Sequence, residues 1–180
     1  MTLRSLRNTW LTPQSWPLLA AFGALTALGI AHAFESFGGL RPCALCLRQR
    51  EVYWIALAIA VAGLAAARIR PGWRIGRGVV ALLGLTFLTG AIVAGYHAGV
   101  EWHLWPGPTT CSGNAAGLAG LSAADLGAAL GHASKAPRCD QIPWSFAGLS
   151  MAGWNVLYSL GLAAGSFLSL GRKVEDEIVP

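Results

Sequence analysis

"RPCALCLRQR", residues 41–50, sets two cysteines three positions apart, places two arginines within the next four residues, and runs straight into an apolar stretch. What that stretch is decides the fold. Hydrophobic residues make up 54% of the 180 and charged residues only 12%, far from the balance of a soluble domain. Apolar runs occupy residues 17–34, 52–67, 78–100 and 146–170, and a hydrocarbon layer of ~30 Å calls for roughly 20 helical residues. The second run is short, so its helix is expected to begin near Cys46, with Arg48 to Glu51 in its first turns. The expected fold class is an all-α membrane protein. It forms one domain over residues 1–180, a four-transmembrane-helix bundle with helices at about 17–36, 46–67, 77–100 and 146–170.

Basic residues set the expected orientation, because Lys and Arg are retained on cytoplasmic flanks. Eight of the 13 fall at the amino end (Arg4, Arg7), in the second connection (Arg68, Arg70, Arg74, Arg77) and in the tail (Arg172, Lys173). Both termini are therefore expected in the cytoplasm, with a short outer loop at 35–45 and a long one at 101–145. The net charge of +5 reads as this bias and not as a nucleic-acid surface, since no basic stripe interleaves with aromatic residues. Trp16 and Trp73 fall at the expected inner boundary and Trp102, Trp105 and Trp144 at the outer one, where indoles favour the headgroup layer. The pairs Gly23/Ala27 and Gly161/Gly165 have the small-residue spacing that lets helices approach closely. The rival reading of the first run is a cleaved signal peptide ending in "AHA" at 31–33; the long polar lead and the unbroken run to Phe34 favour an uncleaved anchor.

All four cysteines, Cys43, Cys46, Cys111 and Cys139, fall on the outer side of that topology, where disulfides form. Three pairings are possible; Cys43 with Cys46 needs no long-range folding and leaves Cys111 with Cys139. Two structural staples would be one use of them. A bond closing so small a loop restrains the unfolded chain little, so Cys43/Cys46 is a poor staple and a good redox centre. In the first turn of its helix Cys46 would gain thiolate stabilisation from the helix dipole and from Arg50, one turn further along on the same face, with Trp54 a turn beyond. Covalent haem attachment would need His where Leu47 stands. A tetrahedral zinc site would have to gather Cys111 and Cys139 onto the first pair, or recruit His97, His103 or His132, and no metal is expected.

The motifs "PCALCLRQR", "YHAGVEWHLWPGPTTC" and "RCDQIPWSFAGLSMAGWN" together resemble the DsbB family of bacterial membrane proteins that generate disulfide bonds, over nearly the whole span of the four helices. The resemblance implies a quinone-dependent oxidoreductase of the inner membrane that reoxidises a periplasmic DsbA-like thioredoxin-fold protein. It implies that Cys43 and Cys46 are the membrane-proximal redox pair, with Cys46 meeting the quinone, and that Cys111 and Cys139 are the loop pair, with Cys111 bonding to the partner protein. Arg50 matches the family's quinone-site arginine, and His97 lies near the depth of a quinone head. Ubiquinone and menaquinone are not distinguished. A dedicated variant serving one client, and a non-catalytic four-helix protein, are the alternatives. Between the loop cysteines, "SAADLGAALGHA" at 122–133 carries Ser122 and Asp125 at capping-box spacing and a leucine stripe, suggesting a short helix on the membrane surface.

Overall fold

A computed structural model describes residues 11–69, 73–108 and 138–172. Within them the chain runs α1 (Trp16–Ser36), α2 (Ala44–Ile69), α3 (Trp73–Glu101), a two-stranded hairpin of β1 (Ser145–Phe146) and β2 (Leu149–Ser150), and α4 (Met151–Leu170). The helices alternate in direction, and α4 packs most extensively along α3, while α2 joins α1 to α3. The expected surface helix at 122–133 and Cys111 lie outside the described residues.

Local sequence sets the ends of these helices. Thr12 and Ser15 exchange hydrogen bonds in the turn before α1, and Pro17 occupies its first turn, where a missing N–H costs nothing. After Ser36 the chain passes through Gly39 at φ +64° and reaches Pro42, which bars helix until Ala44. The fourth helix does not begin at residue 146 as its apolar run suggests. Ala147 and Gly148 both take positive φ and fold residues 145–150 into the antiparallel hairpin. Ser150 then caps α4, its hydroxyl accepting the Gly153 N–H at 3.1 Å.

Large apolar side chains point out of the bundle: Phe22, Leu25, Ile55, Val61, Leu82, Leu85, Ile92, Leu157 and Leu168 are all more than half exposed or close to it. Small or polar ones point in, among them Ala20, Ala24, Ala56, Ala60, Ala94, Ser159 and Ser166. In water this distribution would be unstable; in lipid it is the expected one, because outer leucines cost nothing and small inner residues let backbones close on each other. Three helices, α1, α2 and the part of α3 from Gly76, are long and apolar enough to cross a membrane. α4 carries no charged residue and buries Ser159, Ser166 and Ser169.

Trp16 departs from its expected place in the headgroup layer. It is buried, and its indole N–H donates to Ser166 Oγ at 2.8 Å. The ring lies flat against Gly165, where a Cβ would overlap it; Gly161, by contrast, faces open space. Gly165→Val should therefore expel the indole and break its bond to Ser166. A loss of about 2 kcal/mol is expected from such overpacking, measured by thermal unfolding in detergent, whereas Gly161→Val should leave stability unchanged.

Candidate active site

At the end of the bundle where α2 begins, the backbone of Cys43 starts the helix, accepting the first intrahelical bond from Leu47 N–H at 3.1 Å. Its side chain stands where a capping oxygen normally would: Sγ accepts the Cys46 N–H at 3.3 Å. Cys43 therefore carries the sulfur at the helix N-terminus, and it is this thiol, not that of Cys46, that the helix end most directly favours as an anion. Both cysteines are free, and their sulfurs lie 3.0 Å apart and share a proton. The Cys46 amide and His97 Nε2, at 3.6 Å, both face Cys43, so the shared proton belongs to Cys46 and the charge to Cys43. The bond from the Cys46 thiol, with help from His97, holds the Cys43 thiol well below the usual range despite its burial.

Cys139 lies against the same sulfur. Cys43 Sγ, His97 and the Cys139 sulfur fall within 4.8 Å of one another, all buried. Cys139 is itself disulfide-bonded, and a sulfur so committed offers no thiolate charge to a metal ion. The short spacing instead suits exchange between a thiolate and a disulfide. Beside Cys139, Arg138 and Asp140 form an exposed ion pair at 2.7 Å; the Arg138 guanidinium holds the Asp140 carboxyl below the usual carboxylate range.

Behind the dithiol a cavity of about 750 Å³ reaches between α1 and α4. One end is polar, formed by Cys43, Cys46, Gln49, Arg50, His97 and Glu101. Most of the rest is apolar and aromatic, with Phe34, Trp144, Phe146 and Trp154 along it and Arg41, Arg138, Gln141 and Asn155 also in the wall; the aromatic rings contact one another in sequence from Phe34 to Trp154. Arg50 shares the cavity with Cys46, but its hydrogen bonds go elsewhere, to the Glu35 carboxylate and to the Ala31 carbonyl at 3.1 Å, both on α1. Trp54, expected on the same face, is half exposed and points away; Gln49 and Tyr53 take the inward positions.

Several polar residues at the site carry no mark in a linear reading. Gln49 bonds to His97 Nδ1 at 2.8 Å and to Asn155 at 2.5 Å, and Asn155 accepts the Tyr53 hydroxyl. Glu101 stands one helical turn after His97, 3.8 Å from its Nε2, and accepts the Ser150 hydroxyl. The spacing of His97 and Glu101 is the one signal that could have been found. No buried side-chain nitrogen or oxygen among the described residues lacks a partner.

Residues 13–169 match the family model for disulfide bond formation protein DsbB. The chain belongs to the DsbB family. A disulfide bond formation protein B of Methylococcus capsulatus is 36% identical over 174 residues, covering 93% of this chain and 96% of that one. That of Azoarcus is 34% identical over 161 residues, 87% of this chain and 91% of the relative, and that of Polaromonas 32% over 156, with 86% and 88% covered. No solved structure matches the chain at a significant level. The family is one of membrane proteins that form disulfide bonds, in keeping with the three helices long and apolar enough to cross a membrane.

The charge on Cys43 makes a pH prediction. A thiol depressed in the fold stabilises it fully above the unfolded thiol range of about 8.5, and that contribution is lost as pH falls through the folded value. Cys46, His97, Glu101 and Cys139 are the titratable or sulfur groups facing Cys43. In protein with the first pair reduced, thiolate absorbance is expected to persist well below the ordinary thiol range and to vanish in Cys43→Ser. His97→Phe should move it to higher pH; an unmoved titration would remove His97 from the account.

Proposed function

We propose that the chain is a membrane thiol-disulfide oxidoreductase that reoxidises a periplasmic DsbA-like thioredoxin-fold protein and passes two electrons to a membrane quinone. The site lies on the periplasmic side of the bacterial inner membrane, with both termini in the cytoplasm. The single observation that carries the reading is the placement of the Cys43/Cys46 dithiol between the Cys139 sulfur on one side and a large aromatic-walled cavity on the other.

The exchange runs as follows. A partner thiolate attacks Cys111 of the Cys111–Cys139 disulfide, and Cys139 leaves as a thiolate. The partner's second thiol gives up its proton and displaces Cys111, so the partner is oxidised and the loop pair reduced. The Cys139 thiolate attacks Cys43 in the Cys43–Cys46 disulfide; a Cys139–Cys43 bond forms and Cys46 departs with the electron pair. The Cys111 thiolate then restores the loop bond, and Cys43 leaves as an anion into its helix cap, beside His97. A low pKa in the leaving sulfur speeds each displacement.

The cavity fits a quinone on its own chemistry: an apolar length for a ring and tail, and polar groups gathered at the sulfur end. Arg50 would hold the head, with Glu35 fixing the guanidinium and Cys46 and His97 beside it. Bound there, a quinone would take up the two electrons released as Cys43 and Cys46 close to a disulfide, with one proton from the Cys46 thiol and the second from water at the cavity mouth. Ubiquinone and menaquinone both satisfy this description.

Purified chain in lipid nanodiscs, given a reduced thioredoxin-fold donor and a short-chain quinone, should reduce the quinone, and Cys43→Ser or Cys46→Ser should abolish turnover. Arg50→Met is expected to raise the KM for quinone about tenfold, the worth of one charged hydrogen bond, and to leave the KM for the protein donor unchanged. No turnover by the wild-type chain with any such donor would defeat the reading.

A further inference from the structure

Three observations around His97 constrain one another. Its Nε2 faces two acceptors, the Cys43 sulfur at 3.6 Å and a Glu101 carboxylate oxygen at 3.8 Å. Its Nδ1 meets the end of Gln49, at 2.8 Å, and the Cys139 backbone also bonds to the ring. Gln49 in turn meets Asn155 on α4, and Asn155 meets Tyr53, whose hydroxyl also touches Ser159 at 2.9 Å. A neutral imidazole has one N–H and one bare nitrogen, and which is which follows from its partners. With a sulfur anion and a carboxylate on one side, the proton belongs on Nε2.

The rest of the chain then has one consistent direction. A bare Nδ1 needs a donor, so Gln49 presents its NH₂ there and turns its carbonyl to Asn155. Asn155 must donate its own NH₂ to that carbonyl, which leaves Asn155 Oδ1 to accept the Tyr53 O–H. Each amide spends one donor and one acceptor, and the order from Tyr53 to Cys43 is donor to acceptor throughout: Tyr53, Asn155, Gln49, His97, Cys43. Reversing one link would set NH₂ against NH₂, or carbonyl against carbonyl.

We infer that Gln49 and Asn155 are positioning residues that lock His97 in the Nε2–H tautomer, making it a fixed hydrogen-bond donor to the Cys43 sulfur and not a base that takes the Cys43 proton. A proton on Nδ1 would point at the Gln49 NH₂. Its use rests on the reaction proposed above: when Cys43 departs from Cys139, the incoming charge meets an N–H already aimed at it, and no proton has to move. Catalytic donors of this preorganised kind need no reorientation at the moment of reaction.

The tautomer is measurable without turnover. Full-length chain with its first cysteine pair reduced, labelled with ¹⁵N-histidine in nanodiscs, contains four histidines, and His97→Gln identifies the signal of His97. In the wild type that ring is expected to show a bare Nδ1 and a protonated Nε2. Gln49→Glu keeps the size and the carbonyl that faces Asn155, but turns an acceptor toward Nδ1; both ring nitrogens should then carry protons. Gln49→Met should give mixed tautomers and slow quinone reduction about tenfold, the loss expected of one hydrogen bond. A wild-type ring protonated at Nδ1, or an unchanged ring in Gln49→Glu, overturns the inference. Should a variant fail to fold, the wild-type spectrum alone still decides. Absent turnover with the expected tautomer in place would sink the functional reading and leave this one standing.

Discussion

At membrane depth no water completes an unfinished hydrogen bond, so every polar atom there has to be answered by another part of the chain. That requirement organises the interior of this bundle. Tyr53, Gln49, His97, Asn155 and Ser159 come from three different helices and are joined in one connected network, so fixing any of them restricts the others. The same rule acts at the opposite end, where the Trp16 indole finds Ser166. Polar pairs of this sort contribute modest energy each, but they distinguish one rotation of a helix from the next, which leucines sliding on lipid cannot do.

The dithiol draws on a second consequence of low dielectric: charge is expensive unless its partners are prepared in advance. Cys43 gathers a helix amide and an imidazole, and a neighbouring thiol that shares a proton with it. Arg50, a permanent cation in the cavity wall, is answered by Glu35 and a carbonyl of α1. Sulfur chemistry and guanidinium are thus kept in separate circuits, each locally balanced, within one chamber.

Much of the architecture was legible in the chain because it depends on runs and fixed spacings. The apolar segments, the Pro42–Cys43 helix start and the C-x-x-C dithiol all have local signatures. What was not legible depends on which way a helix faces. A segment apolar all round carries no stripe to show its inner face, so Arg50 and Trp54 looked equivalent to Gln49 and Tyr53, one position away. Glu35 and Arg50, or Gln49 and Asn155, meet only because separate helices pack side by side, and no periodicity within either segment announces the meeting. The start of α4 was misplaced for another reason: "SFAGL" is apolar enough to read as membrane helix, and only the positive φ at Ala147 and Gly148 turns it into a hairpin.

That hairpin also explains how a sulfur from a long connection comes to lie against a helix start. Ser150, which ends the hairpin, accepts the Gly153 N–H to cap α4 while its hydroxyl donates to Glu101 at the end of α3. Glu101 in turn faces His97, and His97 faces Cys43. The segment returning to the membrane is therefore pinned, through one serine, to the residues that surround the dithiol, and Cys139 lies eleven residues ahead of the pinned point. A loop attached by lipid contacts alone would leave its disulfide to find Cys43 by diffusion; attached through Ser150 and Glu101, the sulfur is held where exchange needs it. The cost is a buried carboxylate, tolerable because a hydroxyl and an imidazole both face it.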